Sequence, residues 1–578
     1  MGPTEKRLDC ESAESTETNK TFMSRQKGKQ SLLILIILQV SVLNLLGDEA
    51  ALYKRFAEQA QQEVRRQERE LEALKPQFTG KAFPRQAPES SLAGDEEVSL
   101  CFNRIDIVGT GLISKREQAR LVQPYLYREL SVVELQALLN QITQWYVERG
   151  YSTARVGLKE ESFQKRGYLK LFVQEGRVNE LRIIENGKSR KRCNTVLPFQ
   201  AGKRFQLREF EQGIDTVQRL SSLSARLEVI PLEDKAGWSD IEFKLEKQKP
   251  FQFFGGYDNE GSPTYGQKAM NIGMKLDDVM GLYDLWYIHY QGNRQLYKDR
   301  YNDSLQVFCS LPLGRHLVSV SYSNSKFLTT TQGQLQTIEF RGGTQTINFD
   351  WDYSLWRTAI SKTQVSLGIS HKRIRNEIQG QRQITGCRNL TSLQINLSHM
   401  RQCLGGWAHG IIRFVRGLRC NNLTSGSSAL ATHFHKWLCE LTYVRGLPSI
   451  SKRLQWRMQG FGQYSCDHLY GSETLSLGGP SSIRGFKEGV LSGECGAYLR
   501  NELCYSLDWN KLGKNELFLA YDTGKIFRNY GEGAGSLSGM SMGWRYQHRY
   551  INAEISLSRA LHPQVGGMLF YFKLGYQF

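Results

Sequence analysis

From Phe251 to the C-terminal Phe578 the chain keeps returning to one pattern: stretches in which apolar and polar residues alternate, separated by breaks rich in Gly, Asn, Asp and Ser. LWYIHYQG, LVSVSYSNS, TQVSLGISH, TSLQINLSH, INAEISLSRA and LFYFKLGYQF are examples. A period of two sends successive side chains to opposite faces of a strand, which a helix cannot do. In the last stretch Phe570, Phe572, Leu574, Tyr576 and Phe578 share one face, and Tyr571, Lys573, Gly575 and Gln577 share the other. An apolar, aromatic face opposite a polar one suits a wall with lipid outside and water inside, the requirement of a transmembrane barrel strand. A soluble sandwich shows the same alternation. The terminal Phe578, the 26 Tyr and 27 Phe, and an export signal upstream favour the barrel. The 328 residues from 251 to 578, at roughly 20 per strand with its connection, predict about 16 strands.

The export signal is the apolar run Ser31 to Leu46, preceded by Arg25, Lys27 and Lys29. A basic stretch before a short apolar one has the form of a secretory signal peptide, with an uncleaved anchor as the alternative. Residues 1–47 therefore read as an N-terminal extension and signal peptide, with Met23 a candidate true start. Residues 48–75, rich in Ala, Glu and Arg and free of Gly and Pro, predict a single helix with a thin apolar face. Residues 76–97 have a linker's composition.

Two copies of strand, helix, helix, strand, strand follow, at 98–178 and 179–250. In the first, Ser131 and Glu134 form a capping-box signature ahead of a helix whose Leu135, Leu138, Leu139, Ile142, Trp145 and Tyr146 lie on one side, and Gly150 suits its end. In the second, CNTVLPF predicts a short helix and REFEQGIDTVQRLSS a longer one. The whole is mainly β with an α+β N-terminal part.

Composition narrows the function classes. A formal charge of +18 is spread along the whole chain, and export removes the chain from the genome, so nucleic acid is not the expected partner. The eleven cysteines contain no CxxC pair, and the paired His433 and His435 suit one strand face better than a metal site. NGKS at 186–189 lacks the first glycine of a phosphate loop, its place being taken by Arg182. No catalytic triad, metal or cofactor is signalled.

One segment departs from the alternation. GGPSSIRGFKEG sets Gly478, Gly479, Gly485 and Gly489 around Ile483, Arg484 and Phe486. Glycines permit a tight backbone path, and the tip presents one permanent charge between apolar anchors. Folded into the lumen, this loop, 475–494, would need an acid on the inner wall. In NELFLAYDTGKIF the alternation turns Leu517, Leu519 and Tyr521 to lipid, and Glu516, Phe518, Ala520 and Asp522 inward. Arg500 and Glu502 point inward on the preceding strand. Asp522 is the candidate partner of Arg484; the alternative is that these charges merely line a wet channel.

The SIRGF tip with its glycines, the following RNEL, the FLAYDTG strand and the two repeated units resemble the outer-membrane translocators of two-partner secretion. These form the hemolysin secretion/activation family within the barrel-assembly protein superfamily. The resemblance spans 48–578; Ile483 stands where valine is usual. It implies a ~16-stranded barrel, helix 48–75 as its plug, and two periplasmic POTRA domains that receive a large unfolded exoprotein. It also implies pairing of Arg484 with the aspartate of an F-x-x-x-D-x-G strand, here Phe518, Asp522 and Gly524. The expected partners are that secreted exoprotein, outer-membrane lipid, and the barrel-assembly machinery through the strand ending in Phe578. An insertase of the same superfamily is the alternative function, and a plain porin or adhesin barrel would leave the repeated units without a task.

Overall fold

The computed structural model describes residues 100–578 apart from 164–166, 190–193, 198–199, 333–336, 359, 383–386, 419–432, 508–512, 529–533 and 562–566. The expected signal peptide, helix 48–75 and linker lie outside the described residues. From Phe251–Asp258 to Met568–Gln577, 16 long antiparallel strands form a closed barrel, with the two-residue Gln381–Arg382 as a hairpin extension. The last strand closes on the first through five pairs, Phe254 with Gln577 to Asp258 with Lys573. Closure satisfies the backbone of every strand without an edge, which lipid requires. Side chains follow the period of two. Along Lys514–Arg528, Leu517 and Leu519 are exposed to the outside while Phe518, Ala520 and Asp522 are buried. On the last strand Phe570, Leu574 and Tyr576 face outward and Tyr571 is buried inside.

In the first N-terminal unit LCFNRIDIVG, the opening strand expected of the first repeat, is split in two. Leu100–Cys101 pairs with Glu129–Leu130, and Arg104–Val108 runs parallel to Tyr168–Gln174, which also pairs with Arg155–Gly157. The helix Val132–Glu148 begins at Ser131, whose Oγ accepts from the Glu134 N–H while the Glu134 carboxylate accepts from the Ser131 N–H, both halves of a capping box. It ends before Gly150, whose φ of 91° is a left-handed conformation. Leu138, Ile142 and Tyr146, four residues apart, are fully buried against Ile105, Ile107, Leu169 and Leu171. Burying an aliphatic side chain such as Leu138 or Ile142 is worth ~1.5–3 kcal/mol.

The second unit has the sheet order Lys188–Ser189, Arg177–Glu185, Trp238–Lys247, Leu223–Pro231, with the helix Leu207–Gln218 packed on it. No helix forms over the described residues 194–197 of CNTVLPF. Asn194 instead closes a turn, its Oδ1 accepting from the Leu197 N–H at 2.9 Å and its Nδ2 donating to the Leu197 carbonyl at 2.8 Å. An asparagine side chain that mimics a backbone turn competes with helix at such a position.

The units are joined rather than strung. The N–H of Leu207 donates to the Gly150 carbonyl and that of Phe205 to the Gly176 carbonyl, both at 2.8 Å, and Arg204 pairs with Glu175. The second unit shares a core with the barrel. Phe210, Ile214 and Val217 belong to one apolar cluster with Tyr283, Leu285, Tyr287 and Phe308. Beside it Arg357 of the barrel pairs with Asp215 and Glu211 of the helix, and Ser354 donates to Gln212 at 3.1 Å.

Candidate functional site

The segment between the strands Leu454–Tyr464 and Cys495–Leu507 turns inward. Its stem is a two-stranded hairpin, Leu475–Leu477 with Leu491–Gly493. Left-handed Gly478 and Gly479, at φ of 115° and 91°, begin the tip. Ser482 Oγ binds both the N–H and the carbonyl of Gly478 at 2.9 Å, so the turn is closed locally. Such φ values exclude most L-residues.

At the tip Ile483, Arg484 and Phe486 are all buried. The Arg484 guanidinium grips Asp522 with Nε to Oδ2 and Nη2 to Oδ1, each 2.6 Å, and the Arg484 backbone N–H adds a third bond to Oδ2 at 3.1 Å. Its Nη1 donates to Glu502. The side chains of Arg484 and Asp522 are 7% and 1% exposed, so this pair lies out of bulk water. A bidentate fork on a carboxylate is the geometry in which arginine surpasses lysine. Arg500 Nη1 donates to the Ser481 carbonyl at 3.3 Å, and its Nε lies 3.9 Å from Asp522. Arg500 thus holds the loop backbone beside Asp522.

The wall is shaped to the tip. A Cβ on Gly524 would stand 2.9 Å from Ile483, and one on Gly539 would stand 1.7 Å from the Arg484 carbonyl oxygen. Phe518 lies under Arg545, whose guanidinium is 4.0 Å from the ring centroid. Phe518, Asp522 and Gly524 therefore sit on one inward face at alternate positions, supporting respectively the charge network, the arginine and Ile483.

The period of two could find which strand residues face inward, Arg545 on Gly535–Gln547 among them, but not which of them meet. Arg545 bridges Glu502, Glu516 and Glu554 at 3.0, 3.1 and 3.1 Å, and Arg457 also holds Glu516 at 2.6 Å. Three further loop contacts have no motif. Tyr571 donates to the Phe486 carbonyl at 3.2 Å, and Glu488 accepts from Ser262 and Thr264 at 2.5 and 3.1 Å. Glu473, at the foot of the stem, pairs with Lys372 and Lys436. His433 and His435 stack edge to face with centroids 4.8 Å apart, and His435 faces Asp467. No cluster of potential metal ligands occurs among the described residues.

This geometry can be set beside known proteins. The family model described as "Haemolysin secretion/activation protein ShlB/FhaC/HecB" matches residues 237–546. The POTRA domain of ShlB type matches 100–176, and a second POTRA model matches 177–231. The outer membrane transporter CdiB of Escherichia coli O6:K15:H31 (strain 536 / UPEC) is 31% identical over 469 residues, spanning 80% of this chain and 77% of its own. The hemolysin transporter protein ShlB of Serratia marcescens is 29% identical over 74% of this chain and 76% of its own. The solved structure of CdiB from Escherichia coli superposes with a TM-score of 0.81 at 27% identity, covering 92% of this chain and all of the other. CdiB from Acinetobacter baumannii, at 19% identity, shares the fold with a TM-score of 0.72. The barrel is an outer-membrane barrel and its POTRA domains are periplasmic. More than half of the chain falls under one family description, and the chain belongs to the haemolysin secretion/activation family, the outer-membrane translocators of two-partner secretion.

Proposed function

We propose that this translocator captures one large unfolded exoprotein in the periplasm and passes it through the barrel, with loop 475–494 as the gate. The observation that carries the reading is the clamp of Arg484 on Asp522 and Glu502, which holds a loop across the lumen that cargo must use. Capture occurs at a POTRA edge. Among the described residues the outer strand Leu223–Pro231 pairs on one side only, with Trp238–Lys247, and a β-prone segment can add to such an edge through main-chain hydrogen bonds without a strict sequence.

The proposed division of labour is a signal peptide within 1–47, a plug at 48–75, a linker at 76–97, POTRA domains at 98–178 and 179–250, and the barrel from 251. Helix 48–75 leaves the lumen before cargo enters, and the free energy of transport comes from binding and from folding of the cargo outside, not from ATP. The apolar outer wall contacts outer-membrane lipid. The last strand, ending in an exposed Phe578 whose N–H donates to the Phe253 carbonyl at 2.8 Å, is the segment offered to the barrel-assembly machinery.

Depletion of the protein, followed by mass spectrometry of the medium and of the outer-membrane fraction, tests this. Loss of one or two large exoproteins from the medium with other barrels unchanged is expected and names the cargo. Loss of many barrels would make the protein an insertase of the same superfamily.

A further inference from the structure

We infer that Glu473 is a second anchor of the inward loop, of opposite polarity to Arg484, and that the lumen is cleared only when both have left their sockets. This rests on the reading of the loop as the gate. Glu473 ends a single helical turn, Gly471–Glu473, immediately before the stem hairpin. Its carboxylate accepts from Lys372 Nζ at 2.9 Å through Oε1 and from Lys436 Nζ at 2.6 Å through Oε2. Its backbone carbonyl accepts from Lys436 Nζ at 3.2 Å and from Gln463 Nε2 at 2.9 Å. The three charged side chains are between 5% and 15% exposed, so the cluster lies largely out of bulk water.

The two lysines come from different parts of the wall. Lys372 is on Ser361–Ile378 and Lys436 on His435–Gly446, with the strands Arg388–Cys403 and Gly406–Leu418 between them in the sheet. The same arm of the loop also places Tyr470 under the Arg388 guanidinium, 4.2 Å from the ring centroid, and Leu469 against Val415 and Phe434. At the other end the tip is held by Asp522 and Glu502, on the strands Lys514–Arg528 and Cys495–Leu507. On one side the loop carries the cation and the wall the acids; on the other the loop carries the acid and the wall the cations.

Electrostatics gives this second socket a definite consequence. With Glu473 in place two ammonium groups share one carboxylate; without it they face each other in a poorly hydrated space, where like charges repel strongly. The socket therefore favours the docked loop beyond the packing of its apolar neighbours. Because both anchors belong to one continuous segment, loss of either raises the population of displaced loop.

Tryptic cleavage after Arg484 measures that population directly. The bond lies between buried residues, so trypsin added outside intact cells cuts it only when the loop has left the lumen, whatever occupies the rest of the pore. Three variants are compared by the rate of that cut, with folding judged by the heat-modifiable mobility of the barrel: Glu473→Gln, the exchange Glu473→Lys with Lys436→Glu, and Asp522→Asn. The exchange keeps two cations and one acid in the socket. We expect Glu473→Gln to be cut at least about tenfold faster and the exchange to return toward the parental rate. A parental rate for Glu473→Gln beside faster cutting of Asp522→Asn overturns the second anchor and leaves the gate standing. No acceleration in either overturns the gate and this inference with it. If Glu473→Gln does not fold, the exchange decides: a folded exchange cut at the parental rate upholds the anchor, and one cut rapidly overturns it.

Discussion

The backbone N–H and the side-chain Nε of Arg484 both donate to the same oxygen of Asp522, Oδ2, at 3.1 and 2.6 Å. One carboxylate thereby fixes the path of the loop as well as the place of its charge. A lysine at the tip could supply a charge but not the fork that also occupies Oδ1.

Reversal of Asp522 separates gate from scaffold. Asp522→Lys leaves Arg484 buried with a like charge beside it, a loss of the order of 3–5 kcal/mol to the docked loop. The expected outcome is a barrel that still inserts and keeps its heat-modifiable mobility, with much reduced exoprotein in the medium. Normal secretion would sink the paired-loop reading.

Gly539 tests the fit without touching a charge. A Cβ there would lie 1.7 Å from the Arg484 carbonyl oxygen, so Gly539→Ala should displace the tip although Asp522 and Glu502 are intact. Faster cleavage after Arg484 by external trypsin checks this, and a protected loop would show that the wall can yield.

The joint between the second POTRA domain and the barrel depends on a buried pair. Arg357 and Asp215 have side chains 9% and 4% exposed, and removing one partner of such a pair costs about 3–5 kcal/mol. Asp215→Ala should loosen the helix Leu207–Gln218 from the rim, seen as faster amide exchange in that helix while the first POTRA domain is unchanged.

Tyr146 gives the first POTRA domain an alkaline limit. Burial, the largest cause, together with the nearby Glu175 carboxylate pushes its hydroxyl up to about 12, against the opposing effect of Thr110. A folded pKa above the unfolded value near 10 means that the contribution is full below pH ~10 and is lost as pH rises through about 12. The difference in phenolate absorbance between the parent and Tyr146→Phe should show one tyrosine titrating near the upper value, and a midpoint near 10 would refute it.

Much of this molecule is legible in order of residues. Strict alternation from Phe251 to Phe578 dictates a wall with two unlike faces, and it assigns Phe518, Asp522 and Gly524 to the same side because the strand period admits no other choice. Ser131, Glu134 and Gly150 mark the ends of their helix through a capping box between residues three apart and a left-handed glycine. Local competition defeats such a reading at Asn194, whose side chain closes a turn where a helix was expected.

What sequence order cannot determine is which inward residues meet. Arg484 and Glu502 are 18 residues apart, Glu473 and Lys372 101, and Glu488 and Ser262 226. Periodicity gives each side chain a face, whereas a partner across a lumen depends on strand number, on register and on the path of a loop that obeys no period. The sequence by itself determined the wall and the chemistry of the tip. Only the closed barrel decided that the tip finds Asp522 and Glu502 together, and that Glu473 finds two lysines from strands not adjacent in the sheet.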